Sequence, residues 1–297
     1  MTDLVRVPQQ NQWHKLKALV LDSVSSPITK RVYNLGLDEF FAWFSQEPRP
    51  GGFTKAAVAA WRVALEARGL GAVSINVRIT AVGKLAVETA DNGLLAPELA
   101  SGITRVKGVA SKGVRLGNWL TVKQAQTLLN TPDASTTRGL RDRAILAVLL
   151  GCGLRRSECA ALTFGHVQQR DGRWCIVDIV GKHGRVRTIP VPAWTKVAID
   201  AWTAAAGIAT GPIFRPVNRG DQAQETALNE KVIWQLLQRY TAAAGVPGIA
   251  PHDLKRSCAK MCRAAGGELE QIQLLLGHAS VQTTERYLVL LCYKILN

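Results

Sequence analysis

No stretch of this 297-residue sequence is apolar for long enough to cross a bilayer. The most apolar run, Ala144–Leu154 (AILAVLLGCGL), is short and reads as a buried helix. The first residues, MTDLVRVPQQNQWHK, hold no hydrophobic segment of the signal-peptide kind, which argues against secretion. Cysteines are few, at Cys152, Cys159, Cys175, Cys258, Cys262 and Cys292, and none forms a C-x-x-C pair. His252, Cys258 and Cys262 suggest three ligands of a metal, but no fourth accompanies them, so free thiols in a reducing cytoplasm are the better reading. No internal repeat is apparent. Acidic residues are also scarce: 22 stand against 37 Lys and Arg, a formal net charge of +15. That imbalance calls for a polyanionic partner, with nucleic acid the first choice.

What is present is enough for a folded protein of two domains. Hydrophobic residues make up 47% and charged residues 20%, which excludes a disordered chain. Residues 1–24 read as an N-terminal arm. Residues 25–110 read as helical. Ser26 and Pro27 open a helix with apolar Val32, Leu35, Phe40, Phe41 and Phe44 at helical spacing. Thr54 caps a second helix that Gly69 stops, and a third ends at Asn92-Gly93. LLAPELASGI adds a short fourth. Thr104–Trp119 then turns Gly-rich and basic without a period, and residues 111–119 are taken as a linker.

From Leu120 to Asn297 a second, mainly α domain is expected. Thr121 caps its first helix. TTRGLRDRAILAVLLGCG becomes apolar all round and should lie at the centre. RRSECAALTFGHV is read as a helix, and GRWCIVDIVGKHGRVRTIPV as a β-hairpin. Three helices follow from Asn229. The fold class is therefore mostly α with one small sheet.

Four short stretches carry chemistry. GLRRSECAAL puts Arg155 at a helix start, where an anion gains from free N–H groups and a bidentate fork. Glu158, three residues on, can hold that guanidinium or bond the helix start. GKHGRVRTIPV presents Lys182 in a tight turn, from which an ammonium can serve as a general acid. PHDLKRSCAKMC enters a helix at His252, and Lys255 shares its face. LGHASVQTTERY ends a helix at Gly277, releases His278, and sets Thr283, Thr284 and Tyr287 on the next helix. A phenol is a poor nucleophile because its pKa is near 10, but surrounding cations lower that cost.

In this order the stretches resemble the tyrosine recombinases, or phage-type integrases. The family's Arg in G-L-R-x-S-E, Lys in a β-hairpin, H-x-x-R, and L-G-H followed by Tyr match Arg155, Lys182, His252 with Lys255, His278 and Tyr287. The resemblance is strong from Leu120 to Tyr287. It implies a helical core-binding domain at residues 25–110 and a catalytic domain at residues 120–297 that clamp double-stranded DNA. It further implies site-specific recombination, by integration or excision. Tyr287 would attack a scissile phosphate, leaving a 3′-phosphotyrosine and a free 5′-hydroxyl. Arg155 would bind the non-bridging oxygens, Lys182 would protonate the departing oxygen, and His252 and His278 would hydrogen-bond the phosphate. No cofactor or metal is needed. The resemblance further implies dimers or tetramers on DNA, with room for an accessory DNA-bending protein, and a place of action in the cytoplasm rather than a membrane.

Two departures stand out. Lys255 occupies the place of the family's second arginine, keeping charge but losing the planar fork. Arg256 follows, but points about a quarter-turn away from position 255 and reads as a poor substitute. The tail after Tyr287, LVLLCYKILN, is short, and could pack in cis or dock on a neighbour. Two other readings use the same scaffold: a DNA-binding protein with impaired chemistry, and a type IB topoisomerase.

Overall fold

The computed structural model describes residues 10–46, 52–110, 118–181 and 184–288. The chain divides into two compact units, Met1–Val114 and Arg115–Asn297.

The first unit is helical: α1 (Gln10–Asp22), α2 (Pro27–Phe44), α3 (Lys55–Ala67), α4 (Ala72–Asp91) and α5 (Pro97–Thr104). The Ser26 hydroxyl accepts from the Thr29 N–H, and the Thr54 hydroxyl from the Ala57 N–H, so each satisfies a donor the helix start leaves open. Phe40 lies at the centre of an aromatic cluster. Its ring centroid is 5.0 Å from Trp61, 5.4 Å from Phe44 and 5.6 Å from Phe53. Such contacts add about 0.5–1.5 kcal/mol per pair beyond area burial. Residues 10–22, set within an arm by the sequence reading, instead form α1. Trp13, Leu16 and Val20 recur every three or four residues and are buried in this same core, which holds the helix down.

The second unit is built round α7 (Thr137–Gly151), preceded by α6 (Val122–Asn130). Every residue from Ala144 to Leu150 is buried, as a helix apolar on all sides requires. Thr121 and Gln124 close a capping box at the start of α6. The helix expected from Arg155 to Val167 is much shorter: α8 covers Arg156–Ala160, followed by one 3-10 turn at Phe164–His166. Thr163 leaves the helical path to bridge Pro212, and its N–H donates to His166 Nδ1 at 3.0 Å.

An antiparallel sheet follows, in the order β1 (Val167–Arg170), β2 (Arg173–Val180), β3 (Val186–Pro190). The β2–β3 hairpin is the expected one. β1 is an addition, joined to β2 by Asp171 and Gly172 at φ 47° and 74°. Two consecutive positive φ values make the tight turn that matches strand twist, and Asp-Gly is its usual sequence. Helices α9 (Ala193–Ala205), α10 (Glu230–Ala243), α11 (Pro251–Ala264), α12 (Leu269–Leu276) and α13 (Val281–Leu288) complete the unit. No helix among the described residues is long and apolar enough to cross a membrane.

Candidate active site

The site grows from two glycine turns. Gly153 has φ +59°, and a Cβ there would lie 3.0 Å from Leu276 Cδ2 and 3.3 Å from Cys258 Sγ. Only glycine lets the backbone close this tightly on α11 and α12. The chain then enters α8 with Arg155 as its first flanking residue. Gly277, at φ +63°, ends α12 in the left-handed conformation and aims the chain towards His278.

Glu158 organises the arginines. Its carboxylate accepts from the Arg155 backbone N–H at 2.8 Å and from Arg155 Nη1 at 2.7 Å. It also accepts from Arg187 Nη2 at 2.8 Å and Nη1 at 3.1 Å. Burial pushes the Glu158 pKa up, but the hydrogen bonds from Arg187 and Arg155 outweigh it and hold the group at about 2. Arg155 Nη2 reaches the Gly277 carbonyl at 3.4 Å, and Arg187 Nε the Leu275 carbonyl at 3.2 Å. Gly181, at the base of the hairpin turn, also borders this pair: a Cβ there would lie 3.1 Å from Arg187 Nη1 and 3.5 Å from Arg155 Nη1. Its neighbour Lys182 lies outside the described residues, as do residues 289–297 of the tail.

Tyr287 is buried to 8% exposure on α13. Its hydroxyl hydrogen-bonds the His252 imidazole at the start of α11. The His278 ring stands edge-on to it, with centroids 4.6 Å apart. His278 Nδ1 shares a hydrogen bond of 3.0 Å with the Thr284 hydroxyl, which fixes the ring. Desolvation, then the charges of Lys255 and Arg155, pulls the His278 pKa down to about 4, so the ring is neutral at pH 7. Desolvation beside Tyr287, and then Arg256, also lowers His252. Burial raises the Tyr287 phenol, and Arg256 and Arg155 oppose that rise.

Lys255 does not face this space. It is 1% exposed, and its ammonium donates to the Gly153 carbonyl at 2.8 Å and the Leu276 carbonyl at 2.7 Å. The side chain that the sequence sets among the catalytic groups ties together the two turns that carry Arg155 and His278. Burial, and then Arg155, brings its pKa down to about 7. Arg256 takes the other direction, with its guanidinium carbon 5.0 Å from the Tyr287 ring centroid. Among the described residues no group of three or more His, Cys, Asp and Glu side chains could hold a metal ion.

The model of the phage integrase family matches residues 118–291, more than half of the chain. The chain belongs to that family. This integrase is 31% identical over 262 residues to the tyrosine recombinase XerC of Xylella fastidiosa (strain 9a5c), covering 87% of this chain and 85% of that one. It is 31% identical over 191 residues to the tyrosine recombinase XerD of Ralstonia nicotianae (strain ATCC BAA-1114 / GMI1000), covering 62% and 59%. Its fold is similar to that of the XerH site-specific recombinase in a pre-cleavage complex with difH substrate, with TM-score 0.69, 18% identity, and coverage of 95% and 81%. A lambda integrase(75–356) dimer bound to a COC′ core site gives TM-score 0.71 at 15% identity, with coverage of 93% and 94%. At these identities the two structures speak for the fold alone.

Of the residues singled out from sequence, the integrase brings Arg155, His252, His278 and Tyr287 to one place, with Lys255 directly behind them. Sequence reasoning missed Arg187, although a signal existed. Arg187 lies two residues before buried Ile189 on β3 and so shares its inward face. Thr284 was seen only as a helical neighbour of Tyr287, and its bond to His278 needed the structure.

Proposed function

We infer that this integrase is a site-specific DNA recombinase that cuts and rejoins duplex DNA through Tyr287. The observation that carries this reading is the Tyr287 hydroxyl bonded to His252, with the His278 ring edge-on and the Arg256 guanidinium over the Tyr287 ring. A neutral His252 can take the phenolic proton as the oxygen attacks phosphorus. Arg155, held by Glu158, binds non-bridging oxygens and stabilises the charge that builds there. His278 has Nδ1 occupied by Thr284, which leaves Nε2 for the phosphate. Lys182 protonates the 5′-oxygen as it leaves. The 3′-phosphotyrosine conserves the energy of the broken bond, and the freed 5′-hydroxyl of a partner strand reverses the step. Lys255 acts by positioning, through the two turns it ties.

Residues 25–110 serve as the core-binding domain and residues 120–297 as the catalytic domain. The net charge of +15 suits a duplex DNA partner. Dimers or tetramers assemble on paired sites, and integration or excision in the cytoplasm is the biological outcome. An accessory DNA-bending protein is compatible with this scheme.

The test is covalent capture. Purified protein is incubated with a pool of randomised duplexes and denatured with detergent, and the protein-linked DNA is sequenced. A shared motif among linked duplexes is expected, with Tyr287→Phe eliminating all linkage. DNA binding without linkage would support the binding-only scaffold. Relaxation of supercoiled plasmid without any sequence preference would support a type IB topoisomerase.

A further inference from the structure

Among the described residues, nothing accepts from two of the donors of Arg256. Its Nε and Nη1 are buried from solvent and have no hydrogen-bond acceptor among the described residues. The nearest carboxylate oxygen, Asp253 Oδ1, is 3.7 Å from Nη1, too far for a hydrogen bond. Asp253 is otherwise engaged: Oδ1 accepts from the Asn118 N–H at 3.2 Å and Oδ2 from the Ala250 N–H at 3.0 Å. Leaving buried donors unmet costs about 1–3 kcal/mol each, so their retention calls for a reason. The side chain is 12% exposed and stands 5.0 Å over the ring of Tyr287.

The helix explains the placement. Each residue turns the direction by about 100°. Measured from His252 rather than from position 255, Arg256 is offset by about 40° and Lys255 by about 60° to the other side. His252 bonds the Tyr287 hydroxyl, so the residue four positions on shares that side, while Lys255 turns to the Gly153 and Leu276 carbonyls.

We propose that Arg256, rather than the residue at 255, is the second guanidinium of this active site, donating one edge of its planar group, Nη2–H with either Nε–H or Nη1–H, to non-bridging oxygens of the phosphate that Tyr287 attacks. The inference rests on the strand-cleaving reading above. In the step, the Tyr287 oxygen bonds to phosphorus, its proton passes to His252, and the bond from phosphorus to the 5′-oxygen breaks. That oxygen leaves as a hydroxyl with a proton from Lys182. Arg256 exchanges no proton. It offsets the second negative charge that the phosphorane gathers on its non-bridging oxygens, and its planar fork supplies what a lysine cannot. The lysine at 255 is then free to serve as an internal bolt, and the two neighbours divide work that one arginine would do.

The experiment uses the full chain and a nicked duplex carrying the linkage site mapped with the native protein. Tyrosyl-DNA adduct is measured for Arg256→Ala, Arg256→Gln and Arg256→Lys. Each is run on a normal scissile phosphodiester and on a neutral methylphosphonate at the same position. On the phosphodiester we expect Ala and Gln to slow the adduct by about 10²–10³-fold, and Lys to recover part of the loss. On the methylphosphonate, which removes one negative charge, Ala and Gln should return to within about tenfold of the native protein. Should Ala fail to fold, Gln answers the same question. Rates on the phosphodiester within a few-fold of native for Ala or Gln would overturn the proposal, and so would a slow variant that the methylphosphonate does not rescue. Absence of any adduct from the native chain would instead remove the strand-cleaving reading, and this inference with it.

Discussion

The two units of this integrase bury different things. In the first, Thr89 is the only buried polar side chain among the described residues, and its hydroxyl donates to the Leu85 carbonyl within its own helix. The rest of that interior is apolar and aromatic. The second unit buries Arg141, Asp142, Glu158, Lys255, Ser257, His278 and Thr284. Each charge buried there needs a partner, because an unpaired one would cost several kcal/mol. Asp142, for example, accepts from Arg141, Arg239 and the Tyr240 hydroxyl. Glu158 and Lys255 are met in the same way, around the tyrosine. Both units are held by apolar packing, and the second adds buried polar contacts whose members depend on one another.

Breaking the strongest such contact should show the largest effect. Glu158→Ala leaves Arg187 without its carboxylate and frees Arg155. A loss of about 3–5 kcal/mol on chemical denaturation is expected, with DNA linkage failing in the same variant. Lys255→Met comes next. It strips the Gly153 and Leu276 carbonyls of their donor, and should cost about 2–4 kcal/mol in the same measurement. Lys255→Arg sharpens the point, since a longer, planar group does not fit two carbonyls arranged for an ammonium. It should lower stability without raising the rate of DNA linkage.

Acid provides a third test. In the unfolded chain an imidazole gains its proton near pH 6.5. Folded His278 resists protonation until about pH 4. Between those values the unfolded chain binds more protons, so stability falls as pH falls. Melting temperatures across that window should drop less steeply for His278→Gln than for the native chain. Thr284→Val should cost only about 1 kcal/mol of stability and slow DNA linkage about tenfold, by releasing the His278 ring. The smallest effect belongs to the first unit. Glu39 pairs with Arg78 near its surface at 2.9 Å, and Glu39→Gln should change stability by less than about 1 kcal/mol.

Local rules made much of this legible in the sequence. Ser26, Thr54 and Thr121 mark helix starts because capping is decided by a few adjacent residues. The all-apolar face of α7 announces burial for the same reason. Arg155 with Glu158, and His278 with Tyr287, are pairs close in sequence, and their spacing carried the resemblance. The direction of the side chains at 255 and 256 depends on what packs against α11 from Gly153 and Leu276, far along the chain. From position 255 Arg256 points about a quarter-turn away, whereas from His252 it lies on the side of Tyr287. The β1 strand was missed although Asp171-Gly172 signals its turn, because VQQR carries no apolar alternation to mark a strand.

The central claim is that the Tyr287 oxygen takes the DNA strand. Covalent complexes formed on the mapped site can be digested with protease and nuclease and sequenced by mass spectrometry. A nucleotide joined through its 3′-phosphate to the peptide containing Tyr287 is the predicted result. Linkage through any other side chain, or through a 5′-phosphate, would contradict the account.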